Sequence, residues 1–191
     1  KTFRWSRPAG GPARGVAVRE GVLQTEGPDL KVYWTSVTGH ISTIALVGPK
    51  SRRLLRELVT DIDLSKEAFP FMHSRVATID GIPVRIARIS FSGELAFEIN
   101  VAWGHARDIW KRLWALGLPY QLTAYGTETM HVLRAEKGFM IIGQDTDGTP
   151  TPQGLNMSWI VSQKMQFSGK RHFQRTYRRA RGRPQLVCHR R

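Results

Sequence analysis

Residues 95–101 read Leu95-Ala96-Phe97-Glu98-Ile99-Asn100-Val101. Leu95, Phe97, Ile99 and Val101 alternate with smaller or polar residues. Successive side chains of a strand leave opposite faces, so this period of two predicts a strand with one face buried. Upstream, Asp80-Gly81 is a tight-turn pair. It joins two further expected strands, around 77–79 and 83–89, into a hairpin. Downstream the period changes. Ile109, Trp110, Leu113 and Trp114 recur at helical spacing between about 104 and 116, with Gly117 as the stop. Strands and helices mixed without regular βαβ alternation predict an α+β fold.

The remaining segments are read on the same grounds. Residues 40–47, HISTIALV, predict a buried strand closed by Gly48-Pro49. Pro49 suits the first position of a helix, where its missing N–H would be unpaired anyway. Leu54, Leu55, Leu58 and Val59 supply the apolar stripe of that helix, and Asp61 and Asp63 mark its exit. Val32, Tyr33 and Trp34 predict another strand over 30–36. Glycine and proline crowd residues 1–15, which read as a strand remnant entering a loop. Residues 16–30 are open between a loop and a short helix ending near Gly27-Pro28. A third helix is expected over 125–136, with Met130, Leu133 and Lys137 on one face and Gly138 as its stop. A short strand and a turn-rich loop follow over 139–152, then a weak helix or 3-10 turn over 155–161. A last turn is expected through Phe167, Ser168, Gly169 and Lys170.

Composition bounds the function. Apolar residues make up 41% of 191 positions, enough for a core. No long uncharged apolar stretch is present, so no membrane span is expected. The start of the chain lacks the basic-then-apolar pattern of a signal peptide. The one cysteine, Cys188, excludes a disulfide framework within the chain and fits a cytoplasmic location. His40, His73, His105, His131, His172 and His189 are scattered, and no metal site is expected. There is no G-x-G-x-x-G, H-E-x-x-H or G-x-S-x-G, and Gly169-Lys170-Arg171 lacks the rest of a P-loop.

The formal net charge of +14 is unevenly spread. Residues 171–191 hold eight arginines and no acid, which leaves +6 for the rest. Such a tail attracts phosphates. Sequence-specific recognition needs base contacts from a positioned element, and no zinc-finger or recognition-helix pattern appears. No specific nucleic-acid function is therefore expected. A tail-driven binder, the remaining alternative of that kind, would be strongly salt-dependent.

Two stretches can carry chemistry. In ISFSGELAFEI, residues 89–99, Gly93 permits a sharp turn or close approach, and Glu94 follows it. A carboxylate at a strand entrance suits a ring with adjacent N–H donors, because it accepts two parallel hydrogen bonds. Composition alone favours a Glu94 that accepts backbone N–H groups within its own turn, with Phe91 and Phe97 as core. In YGTETMHVLRAEKGFMIIGQDTDGTPTP, residues 125–152, Arg134 can hold a ligand carboxylate bidentately or pin the loop of Asp145 and Asp147.

Taken together, these stretches resemble the aminomethyltransferase-like folate-binding domain of the glycine cleavage T-protein family. The nearer likeness is to the form found in α subunits of heterotetrameric sarcosine oxidases. The matching pieces are QTEGPDLKVYWTSVTGHISTIALVGPKSRRLL, RISFSGELAFEINV, YGTETMHVLRAEKGFMIIGQDTDGTPTPQGL and the K-x-x-F-S-G-K-R pattern from Lys164. They cover roughly 24–173 in the family's order. The resemblance implies a partial domain over 24–175, preceded by a remnant and linker at 1–23 and followed by a basic tail at 176–191. The family segment bearing the aspartate of folate chemistry has no match here, nor does the usual C-terminal barrel, so a truncated domain is expected.

The resemblance also implies a function. Such oxidases demethylate sarcosine to glycine with hydrogen peroxide, and tetrahydrofolate takes up the one-carbon unit as 5,10-methylenetetrahydrofolate. Related dimethylglycine-processing enzymes use the same domain. FAD, FMN and NAD are implied only for the complete oxidase, and the implied partners are its β, γ and δ subunits. Carried onto this sequence, Glu94 would hold the pterin ring. Phe91, which stands where many relatives have tyrosine, would line the pocket without a hydroxyl. Arg134 would brace the pocket or approach the folate tail, and Tyr125, Glu136 and Asp145 are second choices. No catalytic residue is assigned. The alternative is a structural or assembly domain of a multi-subunit amine oxidase without productive folate binding.

Overall fold

In a computed structural model of the protein, residues 12–162, 164, 165, 169–171 and 175 are described. Four antiparallel strands form one sheet in the order β1-β4-β3-β2. They are β1 (Ile41–Val47), β2 (Ser74–Ile79), β3 (Ile82–Ala87) and β4 (Ala96–Ala102). The helices are α1 (Pro12–Thr25), α2 (Ser51–Leu58), α3 (Ala106–Gly117) and α4 (Thr127–Glu136). The fold is α+β, as the sequence predicts.

The period of two decides which face is buried. Leu46 lies opposite Phe97, Ile44 and Ile86 both face Ile99, and Val84 is flanked by Val101 and Ala77. These apolar rows are covered by Leu54, Leu55 and Leu58 of α2 and by Ile109 and Leu113 of α3. Phe97 is fully buried and packs against Phe69 with ring centroids 6.0 Å apart. The opposite face is mixed, with Val76 exposed, and there Thr43 donates to Asn100 across β1 and β4 at 3.0 Å. Asp80 and Gly81 both take positive φ, 49° and 80°, which makes the expected hairpin turn between β2 and β3.

Several expectations need correction. Residues 31–37 form no regular element. The segment is not among the four strands of the sheet, so its apolar residues gain no ladder hydrogen bonds. β1 is only partly buried, since it is an edge strand. Pro49 lies in a turn ahead of α2, whose first residue is Ser51. α1 already begins at Pro12, within the stretch read as loop, and runs to Thr25. Residues 139–142 are not a strand; turns follow α4 instead. The strand remnant expected before residue 12, the turn through Phe167 and Ser168, and the basic tail lie outside the described residues. Among the described residues no helix is long and apolar enough to cross a membrane.

Candidate functional site

The loop between β3 and β4 is tied down on both sides of Glu94. Just after it, the carbonyl of Leu95 accepts from the Gly48 N–H at 2.8 Å and from the Ser51 hydroxyl at 3.2 Å. Just before it, the Ser92 hydroxyl, which is buried, accepts from the Glu94 N–H at 3.3 Å. The strand entrance is thus fixed to the start of α2 and to its own loop.

Gly93 has φ of 80°, a conformation that suits glycine. A Cβ there would come within 2.5 Å of Lys137 Cβ and 3.5 Å of the Phe139 ring. Glycine is required twice, for the turn and for the approach of the chain leaving α4. The Glu94 carboxylate does not fold back on its own turn. Its Oε1 takes the Lys137 ammonium at 2.8 Å. The hydrogen bond to Glu94 and that carboxylate's charge hold the Lys137 ammonium above its ordinary pKa.

Beside this pair opens a cleft of about 290 Å³ lined by Phe71, Arg88, Ser90, Gly93, Glu94 and Phe139, together with Leu95 and Ala96. Backbone bonds between Met72 and Arg88, at 2.9 Å, and between Arg88 and His73, at 2.9 Å, bring Phe71 to this place. Arg88 donates to the Phe69 carbonyl at 3.0 Å. The Ser90 hydroxyl is buried and has no hydrogen-bond partner among the described residues.

Arg134 is the one buried residue of α4, 9% exposed. Its guanidinium forms an ion pair with Asp145 and donates to the Phe139 carbonyl at 3.1 Å. Asp145 also accepts from the Ile141 N–H at 2.7 Å. That backbone donor first, and then Arg134, hold the Asp145 carboxyl below the ordinary carboxylate range. Arg134 therefore pins the loop of Asp145. Asp147 is not part of this tie; it bonds the Thr149 N–H at 2.9 Å and the Thr149 hydroxyl.

Of the residues singled out from sequence, Glu94 lines the cleft and Arg134 fixes the backbone of Phe139, which lines it. Phe91 is 43% exposed and lies outside the lining. Tyr125 also lies outside it; desolvation raises its phenol's pKa. Glu136 is exposed. Phe71, Arg88, Ser90, Lys137 and Phe139 were not identified as site residues. The close approach at Gly93 was the available signal for Lys137 and Phe139, while Phe71 is more than 20 residues away in sequence and carries none. Among the described residues no group of three or more His, Cys, Asp or Glu is placed to hold a metal.

A carboxylate, two aromatic rings and a hydroxyl without a partner among the described residues, set around a small cleft, suit a flat heteroaromatic ring with several polar edge atoms. Residues 13–165 match the GCVT N-terminal domain. The chain is 52% identical over 91% of its length to sarcosine oxidase subunit alpha of Corynebacterium sp. (strain P-1), of which it covers 18%. It is 39% identical over 88% of its length to sarcosine oxidase subunit alpha of Rhizobium meliloti (strain 1021), covering 17% of that chain. An aminomethyltransferase of Chloroherpeton thalassium is 32% identical over 78% of this chain and 40% of its own. The chain thus spans about a fifth of the length of the two oxidase subunits.

Proposed function

The chain belongs to the GCVT N-terminal domain family, and from that premise we propose that its cleft holds the pterin ring of tetrahydrofolate as part of a sarcosine oxidase α subunit. The observation that carries the reading is the placement of Glu94 at the cleft, with one carboxylate oxygen taken by Lys137. Its second oxygen, together with the lone pair that Lys137 leaves on Oε1, accepts two parallel hydrogen bonds from adjacent N–H donors of the ring. Phe71 and Phe139 supply apolar surface for its faces. The Ser90 hydroxyl, buried without a partner among the described residues, supplies a further polar contact. A volume of about 290 Å³ lies at the lower end of ligand sites, about 300 Å³ upward. It fits the ring and leaves the folate tail outside. Arg134 acts by bracing, because its guanidinium is engaged by Asp145 and Phe139. The reading gives Phe91 and Tyr125 no contact with the ring.

Bound there, tetrahydrofolate supplies the nucleophilic nitrogen that accepts a one-carbon unit. The protein's part is to bind and orient the ring and to exclude water on the side of the two phenylalanines. The reaction served is oxidative demethylation of sarcosine to glycine with formation of 5,10-methylenetetrahydrofolate. FAD, FMN and NAD belong to other parts of such an oxidase, and no residue here is assigned to them. The proposed partners are the β, γ and δ subunits of a cytoplasmic heterotetramer, with 24–175 as the folate-binding part, 1–23 leading into it and 176–191 as a basic tail.

Calorimetric titration with 5-formyltetrahydrofolate, a stable reduced folate, tests the reading on the wild-type chain and on Glu94→Gln. Saturable binding that Glu94→Gln weakens at least tenfold is expected. A folded wild-type chain that does not bind would contradict it and leave a structural role in a multi-subunit amine oxidase.

A further inference from the structure

Lys137 follows the last residue of α4, and its N–H bonds the Leu133 carbonyl at 3.3 Å, which sets where its side chain starts. The stem then passes over Gly93, close enough that a Cβ at that glycine would lie 2.5 and 2.6 Å from Lys137 Cβ and Cγ. Only after this contact does the ammonium meet Glu94 Oε1, at 2.8 Å. Glu94 itself starts from a backbone fixed by Ser92 and by the tie of Leu95 to α2.

An exposed ion pair usually contributes little, because two long side chains must be ordered to make it. Here packing against Gly93 orders the stem of one partner, and the strand entrance orders the backbone of the other. The pair therefore defines an orientation. Lys137 does not line the cleft, whereas Glu94 does. Among the described residues Lys137 is the ion-pair partner of Glu94, and Arg88, the other cation at the cleft, donates to the Phe69 carbonyl instead.

We propose that Lys137 is a positioning residue, which holds the Glu94 carboxylate in the orientation that meets a ring with adjacent N–H donors. This rests on the reading of the cleft as a folate-ring site. Lys137 touches the carboxylate and not the ligand, and it acts through charge. A lysine that merely packed on Gly93 would be replaceable by methionine, which keeps an unbranched stem. A lysine that competed with the ligand for Glu94 would give tighter binding once removed. A positioning lysine gives weaker binding when its charge is lost and recovery when arginine restores it.

The experiment is titration of 5-formyltetrahydrofolate into the wild-type chain, Lys137→Met and Lys137→Arg, with circular dichroism confirming that each is folded. Lys137→Met is expected to weaken binding about tenfold, the size of one charge-assisted hydrogen bond. Lys137→Arg is expected to return to within about threefold of wild type, well inside the tenfold given by 1.4 kcal/mol. Wild-type affinity or tighter binding in Lys137→Met would overturn the proposal, as would equal losses in both variants. These results leave the folate reading standing, since the wild type still binds. Failure of the folded wild type to bind removes that reading and this proposal with it.

Discussion

Residues 41–122 and residues 127–162 are held together by different forces. Every member of the apolar core lies between Leu46 and Leu113, and the partly buried residues packed on it extend only to Leu122. Beyond that point α4 buries Arg134 alone. Its exit and the following turns are fixed by Arg134 with Asp145, Asp147 with Thr149, the Gly143 N–H with the Thr146 hydroxyl, and Lys137 with Glu94. The cleft sits on the seam between the two. Its Glu94 wall comes from a strand entrance anchored to the core, and its Phe139 wall comes from the polar region. The packed region sets global stability, and the polar region should open locally at a lower free energy.

The contrast can be broken first from the core. Phe97→Ala removes a fully buried ring and is expected to destabilise the whole chain by about 3–5 kcal/mol, measured by urea unfolding. Tryptophan fluorescence of the Trp110–Trp114 pair, stacked on α3 with centroids 6.1 Å apart, reports that transition. A loss below about 1 kcal/mol would place the core elsewhere. Gly93→Ala attacks the seam. Positive φ and the contact with Lys137 predict a loss of about 1–3 kcal/mol and of folate binding. Unchanged stability would mean that the two walls do not press on each other.

Breaking the polar region alone should leave the core intact. Arg134→Met is expected to abolish hydrogen-exchange protection at Ile141 and Asp145 while the urea midpoint of the sheet moves little. Coincident loss of both would make the two regions one cooperative unit. Acid gives the same test without mutation. The Asp145 pKa is depressed in the folded state, so its contribution is fully present above the ordinary aspartate value of about 3.9. It is lost as the pH falls through the lower folded-state value. Amide exchange at Ile141, followed by NMR down that range, should rise before the sheet unfolds. The smallest effect expected is that of Ser90→Ala. It removes a hydroxyl without a partner among the described residues, so stability should stay within about 0.5 kcal/mol, with folate affinity falling several-fold.

How much of this the sequence discloses follows the same division. The packed region was legible because burial rules it, written with a period of two in the strands and with helical spacing in α2 and α3. Phe97, Ile99 and Val101 mark β4, Asp80-Gly81 marks the hairpin, and Ile109 with Leu113 marks α3. Where periodicity misled, tertiary placement had the last word. Val32, Tyr33 and Trp34 look like a strand, but no neighbour pairs with them, and residues 139–142 leave α4 in turns that bond Asp145. Of the candidate site, Glu94 was legible through the glycine before it. Arg134 was legible as a choice between two carboxylates, its own loop's or a ligand's, which only geometry resolves in favour of Asp145. Phe71 and Arg88 were hidden, because bonds between Met72, His73 and Arg88 bring them to the cleft. Lys137 stood in view just past the end of α4, but its partner lies 43 residues earlier, across Gly93.

The most direct test of the seam as a folate site is hydrogen exchange of the whole chain with and without 5-formyltetrahydrofolate, resolved by peptide. Added protection is expected in the segments around Ser90 to Ala96 and Lys137 to Asp145, with β2, β3 and α3 unchanged. Protection confined to other segments, or none at saturating ligand, would contradict the account.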